Sequence, residues 1–465
     1  MTSKAAKYPH SIMKIRVYHI SEPVCFLILI LFPLIFDLLS IFTKSILVGI
    51  EFWLIGILSI IIIMSENRRG RPFSTYMLSG FFVYIFVFIA GGYQYLFNEF
   101  IYNVRVLDEE VLIANLIIVL WLAISIFTVR SSVRVQRQSI FNETVNLFIP
   151  NYAKLILIFL CFAFGIINLM QYGVESLFNR YYFNGVVSTG SQSLNSIIKI
   201  MRSGLGMWTL YICAIDYKKH GSRSYLLLSL LSCLILIPPL ATSRTIVLLT
   251  YGGFLLIVSD RIKKGMNFFL FILILDLFAA PIFNLFRNGF SGNSAMLIST
   301  IQDYKDDFFR SDYDAYTMFL LTIRYVSMHG ITWGKQLLSV LLFFLPRALW
   351  PNKAIGSGAT VMGALKTASV SNISCPIFAE AYINFGIIGV IVFSFGIHSI
   401  IKKIDGMYWS NDNGNNSLIS NLYPFMVLFI LMLFRGDLLN AFSWLIGYII
   451  VLLAIRLFFL RKVVM

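Results

Sequence analysis

The stretch KSILVGIEFWLIGILSIIIIMSENRRGR, residues 44–71, decides what kind of molecule this is. Within it, residues 45–64 form an apolar run interrupted by a single charge, Glu51. A helix needs roughly 20 such residues to cross about 30 Å of hydrocarbon. The run is closed on one side by Lys44 and on the other by Arg68, Arg69 and Arg71. That imbalance of cations orients a span, because the basic side stays in the cytoplasm.

Working outward in both directions, the same unit recurs. Apolar runs cover residues 22–41, 73–91, 111–129, 155–170, 205–216 (extended backward by 196–204), 225–242, 246–258, 268–286, 386–401, 418–434 and 443–460, which makes twelve spans in all. Pro238-Pro239 leaves open whether the seventh and eighth runs are one kinked feature, and Ser243-Arg244 between them favours a turn. The first run lacks a small-x-small cleavage site behind it and reads as a retained span.

Composition agrees. The chain has 465 residues, 58% hydrophobic and 13% charged, with a mean hydropathy of +0.81. A soluble globule carries about twice that charge fraction, so soluble enzymes and disordered chains are excluded. The net charge of +15 invites a nucleic-acid reading, but topology accounts for it. With both ends inside, the inner segments hold 21 cations, among them Lys4, Arg16, Arg130, Arg137, Lys154, Lys218, Lys263, Lys402 and Arg461. The short outer loops hold seven: Lys44, Arg105, Arg180, Lys199, Arg202, Arg244 and Arg435. Every inner loop is basic, as the positive-inside rule requires, and no nucleic-acid partner is needed.

The fold expected is therefore all-α: a polytopic membrane protein of about twelve transmembrane helices, N-in and C-in. Residues 1–286 form one bundle with a smaller outer loop at 171–204. Residues 287–385 form a large outer loop, and residues 386–465 complete the bundle. Long loops without structure are uncommon unless they function. Inside the large loop, residues 337–345 are apolar but too short to span, and Pro346 and Pro351 stop them. They read as a re-entrant or surface-lying helix anchored by Trp350. Residues 303–316 are polar and acidic and read as a solvent-facing helix. The chain shows no internal repeat of the kind common in transporters.

Five cysteines show no CxxC or Cys/His spacing, so neither a zinc site nor a disulfide framework is indicated. Asp312-Tyr313-Asp314 has the form of a metal-binding Asp-x-Asp, but residues two apart on a helix point to different faces, so no metal is expected. Gly356-Ser357-Gly358 is not a nucleotide loop, since no strand precedes it and the third glycine is misplaced. It reads as a flexible or phosphate-approaching loop. Asp37, Glu51, Asp276, His398 and Arg456 lie within spans, are costly in lipid and should face the bundle.

Outer-face cations offer the most chemistry. Arg244, Arg287 and Arg435 emerge at the outer ends of spans, and Arg310, Arg324, Arg347 and Lys353 lie in the large loop. A guanidinium fork suits phosphate oxygens, although any one of these can instead snorkel or cap a helix. Glu380 sits among apolar neighbours at the start of span ten, where a desolvated carboxyl can serve as proton acceptor or as a structural hydrogen-bond partner. Asp437 can orient Arg435 or do the same work. His329, beside Gly330, is a general base or a bystander.

Four segments carry a resemblance: Phe343-Phe344-Leu345-Pro346-Arg347-Ala348-Leu349-Trp350-Pro351-Asn352-Lys353; Gly356-Ser357-Gly358; Glu380-Ala381-Tyr382-Ile383-Asn384-Phe385-Gly386; and Phe434-Arg435-Gly436-Asp437. With the span layout, they resemble the Wzy-type O-antigen polymerases, bacterial enzymes that join oligosaccharide repeat units and are similar in fold to the C-type membrane glycosyltransferases. The resemblance implies transfer of a glycan from undecaprenyl pyrophosphate to a new lipid-linked repeat unit at the periplasmic face of the inner membrane. It implies lipid-linked glycans as partners, together with a chain-length regulator and a flippase. No cofactor is implied, since the pyrophosphate–sugar bond carries the driving free energy. The leaving pyrophosphate calls for fixed cations: Arg435, Arg244 and Arg287 first, then Arg347 and Lys353. Glu380 is the candidate base, with Asp437 beside Arg435. Tyr382, Asn384, Trp333, Trp350 and His329 are candidate sugar contacts, with interface anchoring or packing as the alternative for each. Two other readings remain open. One is a flippase for the same units, disfavoured by the long outer loop and the absence of a repeat. The other is the related ligase that attaches finished glycan to lipid A core.

Overall fold

A computed structural model of the chain describes residues 44–130, 150–179, 192–276, 308–366, 373–410 and 418–459, together with Leu31 and Ile35. The side chains of residues 192–194 and 418–419 are not described. Among the described residues there are helices and turns and no strand. In chain order the helices are α1 (Ile46–Arg68), α2 (Thr75–Phe97), α3 (Asp108–Arg130), α4 (Asn151–Tyr172), α5 (Gln192–His220), α6 (Arg223–Leu236) and α7 (Arg244–Val258). They continue with α8 (Asn267–Ile274), α9 (Ala315–His329), α10 (Lys335–Leu341), α11 (Ser357–Leu365), α12 (Ile377–Trp409), α13 (Leu418–Arg435) and α14 (Leu438–Phe459).

Six of these, α1, α2, α3, α4, α12 and α14, are long and apolar enough to cross a membrane, which marks the chain as membrane-embedded. Helices α6 and α7 and residues 420–435 of α13 are apolar but shorter. Each predicted run from 45–64 onward contains a helix where it is described, although residues 237–242 of the run 225–242 form a turn; nearly all of the run at 22–41 and the end of the run at 268–286 lie outside the described residues. The question at Pro238-Pro239 resolves as a turn: α6 stops at Leu236, Thr242 N donates to Pro238 O, and α7 starts at Arg244.

Helix α2 is the hub. Its most apolar window is 100% buried, against 39% for α4. It packs on α1, α12 and α13. Lipid offers no hydrophobic drive for helices to associate, so close packing and hydrogen bonds hold such a bundle. The start of α2 shows both. Ser74 caps it by accepting from Met77 N, and the buried Asp405 of α12 accepts from Thr75 N and Tyr76 N at 3.0 Å each. Its middle, Val83–Ile89, winds as a π-helix, and so does Leu248–Gly252 in α7. At the periphery, α4 turns Phe159 and Met170 outward, exposed as a lipid-facing surface should be.

Two sequence expectations change. The polar stretch 303–316 is not a solvated helix where it is described: Tyr313, Asp314, Ala315 and Tyr316 are buried, and α9 packs on α12 and α3. Of its acids, the described Asp312 and Asp314 pair with Arg244 and Arg435. The bundle also resumes before residue 386. Helix α12 starts at Ile377 and bends at Phe385-Gly386, where Gly386 takes φ +62°. A left-handed residue of that kind favours glycine, and in sequence the same glycine reads as a boundary. Helix α10 does lie on the surface: Gln336, Ser339 and Val340 face inward against α12 and α14, while Leu338 and Leu341 are exposed.

Candidate functional site

A cavity of about 320 Å³ opens between α2, α7, α8 and α13. Most of its wall is apolar, from Phe81, Phe86, Pro239, Val247, Leu248, Tyr251, Leu255, Ile272, Leu275 and Leu431. Its polar lining comes from Arg244, Asp276, Asp312, Tyr313 and Arg435. Both π-helical stretches contribute to the wall, Phe86 from one and Leu248, Tyr251 and Gly252 from the other. Inserted turns of this kind widen a helix locally and occur often at functional sites.

Local structure positions the two arginines. Arg244 opens α7 immediately after the Pro238-Pro239 turn, and Arg435 ends α13. Two chain segments far apart in sequence thus bring guanidinium groups to one cavity. The turn before α9, Ser311–Tyr313, lies against both. Arg244 Nη2 is 3.1 Å from Asp312 Oδ2. Arg435 Nη2 is 3.7 Å from Asp314 Oδ1 and donates to Ser311 O at 3.1 Å. The Asp314 carboxylate also accepts from the hydroxyls of Tyr102 and Ser374. Tyr313 donates from its hydroxyl to Asp276 Oδ2 at 3.3 Å, and its ring lies 5.4 Å from that of Phe86. Asp312 and Asp314 therefore diverge to separate arginines instead of converging as a metal-binding pair. The Nε atoms of Arg244 and Arg435 are buried and have no hydrogen-bond partner among the described residues. Each guanidinium thus keeps a donor in reserve.

A second cluster lies two residues beyond Arg435. Glu380, in the first turn of α12, is 1% exposed. One of its carboxylate oxygens accepts from Ser357 Oγ at 2.7 Å and the other from Leu438 N at 2.9 Å. Asp437 accepts from Gly358 N at 3.1 Å and from Leu439 N at 3.0 Å. The two acids thus join the starting turns of α11, α12 and α14, where free backbone donors lie. Gly356-Ser357-Gly358 forms the start of α11. A Cβ on Gly356 would come within 2.5 Å of Asp437 Oδ2, so the close approach of the carboxylate requires glycine. Burial raises the Asp437 carboxyl above the ordinary range, and the backbone donors offset this in part.

The remaining sequence candidates lie elsewhere. Arg347 Nη1 donates to Lys353 O, while Lys353 Nζ donates to Phe343 O at 2.6 Å and to Leu345 O at 3.0 Å. The pair ties up its own loop and is not part of the cavity wall. Partial burial, with the Arg347 charge nearby, lowers the Lys353 ammonium below its usual range. Asn384 is fully buried; it accepts from Leu337 N and donates to Glu380 O, which pins the start of α10 to α12. Tyr382 is half-buried against Phe319. Trp333 is 80% exposed, Trp350 is half-buried, and exposed His329 stacks on Tyr325. Arg324 forms a two-point ion pair with Glu110 of α3, at 2.7 and 2.6 Å. Arg287 lies outside the described residues.

Of the sequence candidates, the cavity wall holds Arg244 and Arg435, and the junction holds Glu380 and Asp437. Sequence reasoning missed the cavity roles of Asp276, Asp312, Tyr313, Phe86 and Tyr251. For Asp276 a signal existed, since a carboxylate inside an apolar run must face the bundle. The chain matches no family model, no curated protein and no solved structure.

Proposed function

We propose that this protein is a membrane-embedded glycosyltransferase that polymerises oligosaccharide repeat units carried on undecaprenyl pyrophosphate, at the outer face of the bacterial inner membrane. The observation that carries this reading is the pair Arg244 and Arg435 at one apolar cavity. A lipid pyrophosphate is amphiphilic in the same sense, with an anionic head and an apolar chain.

In the reaction, an acceptor hydroxyl attacks the anomeric carbon of the donor sugar. The bond to the pyrophosphate oxygen breaks, and the lipid pyrophosphate leaves with the electron pair. Arg244 and Arg435 stabilise that developing charge, in surroundings where water is scarce and fixed charges act strongly. Asp276, held by the Tyr313 hydroxyl, is the carboxylate at the cavity placed to take the acceptor proton. Glu380 and Asp437 fix the start of α14, and with it the turn that carries Arg435.

The test is deletion of the gene in its host, with surface glycan resolved on a gel. A single repeat unit on each lipid core in place of a ladder is the expected result. Loss of all glycan, the single unit included, overturns it. Lipid-linked polymer accumulating outside then indicates a ligase, and lipid-linked monomer retained inside indicates a flippase.

A further inference from the structure

The turn Ser311–Tyr313 carries three contacts to the site: Ser311 O accepts from Arg435, Asp312 meets Arg244, and the Tyr313 hydroxyl donates to Asp276. That turn is held in its own right by a residue that does not line the cavity, Gln94, fully buried near the end of α2. Its side-chain nitrogen donates to Phe308 O at 2.8 Å and to Tyr313 O at 3.1 Å, and its side-chain oxygen accepts from Thr317 Oγ1 at 2.8 Å. Carbonyl oxygens only accept, so the partners fix which way the amide faces. Both N–H groups and the oxygen are thus spent on residues 308–317, on either side of the turn. The same helix meets Arg435 a second time: the guanidinium lies 5.8 Å from the centre of the Phe86 ring, in the π-helical stretch that precedes Gln94.

Resting on the lipid-pyrophosphate reading above, we propose that Gln94 is a positioning residue: through the 311–313 turn it sets where Arg244 and Arg435 present their guanidiniums to the leaving diphosphate. Without the amide, two carbonyls and the Thr317 hydroxyl lose this partner, and a buried group left unpaired costs more than its hydrogen bond is worth. The turn shifts to find other donors, and Ser311 O and Asp312 shift with it. A misplacement of about 1 Å that starts away from the chemistry can cost up to about 100-fold in rate. Polar side chains between membrane helices also serve as plain glue. The two roles differ in what they couple to. Glue costs the same whichever arginine is present, whereas a positioning residue loses part of its effect when an arginine it aims is gone.

The experiment uses the full chain, in the host for polymer yield and in detergent for labelling with phenylglyoxal, a reagent for guanidinium groups. Gln94→Ala should lower polymer yield about tenfold or more in a folded chain. Its cost should be smaller in R244A and in R435A than in wild type. Labelling of Arg244 and Arg435 should rise severalfold, while that of Arg324, paired with Glu110, should stay as in wild type. Gel filtration shows which variants remain folded. Gln94→Glu, which changes one atom of the amide and keeps the acceptor for Thr317, stands in where the alanine variant does not fold. Wild-type polymer yield in a folded variant overturns the proposal, and so does an equal cost in all three backgrounds or a rise in labelling shared by Arg324. A glycan ladder that survives deletion of the gene removes the polymerase reading instead, and labelling then still decides whether Gln94 places the arginines.

Discussion

The acids at the Ser357 junction and Asp312 at the cavity wall meet different kinds of donor. Glu380 and Asp437 receive backbone amides and one hydroxyl, groups that cannot leave without unwinding a helix start. Asp312 receives a guanidinium at the end of a long side chain, which can turn to another acceptor. Carboxylates of the first kind belong to the frame, whereas the second kind meets a donor on a flexible side chain. Sequence alone offers Glu380 as a proton acceptor or a structural hydrogen-bond partner and Asp437 as a neighbour of Arg435; the donors they meet tie both to helix starts.

The contrast can be broken by substitution. The largest effect is expected at the cavity, on activity: Arg435→Ala or Arg244→Ala should lower polymer formation by about 100-fold or more in chains that remain folded by gel filtration. Polymer length and yield left intact by both would remove the arginine pair from the mechanism. Next comes stability at the junction. Glu380→Ala strands Leu438 N and the Ser357 hydroxyl and should cost about 3 kcal/mol, read by denaturant or thermal unfolding in detergent. Glu380→Gln keeps an acceptor and should stay folded and active; a folded but inactive Gln variant would return Glu380 to the role of base.

A pH series sharpens the same comparison. Burial raises Asp437, so the folded chain keeps a proton that the unfolded chain releases near pH 4. The folded state binds more protons over that window, and stability falls as pH rises through it. Wild type should melt higher at pH 5 than at pH 8, and D437N should flatten that slope. Equal slopes would clear Asp437 of the effect. The smallest change is expected at Arg324→Lys, which loses the two-point geometry to Glu110 between α9 and α3 and should cost about 1 kcal/mol. A loss of polymerisation without loss of stability there would assign Arg324 a role in the site.

The helical, membrane-spanning plan was legible because lipid demands long apolar runs, and a run such as 45–64 admits no other reading. Arg244 and Arg435 were read together with Arg287 as cations at the ends of apolar runs, and the first two line one cavity. The turn at 311–314 was not legible. Its aspartates resemble a solvated acidic face until their partners, far away in the chain, are known. The π-helical stretches of α2 and α7 leave no mark in composition, so Phe86 and Tyr251 could not be assigned to a cavity wall. Gly386 was legible as a boundary, since Phe385 and Gly386 take non-helical angles there; what could not be read is that the helical turns from Ile377 to Asn384 precede it.

Helix α2, whose apolar window is wholly enclosed and is the least apolar of the six at a mean hydropathy of 1.7, has a consequence for biogenesis. A segment leaving the translocation channel early in synthesis meets lipid before most of its eventual neighbours exist. Asp405 and Tyr423, which tie down the segment at its start, lie 330 and 350 residues further along the chain than the groups they hold. The bundle therefore closes around α2 late: until synthesis reaches α13, that helix has α1 beside it but lacks α12 and α13.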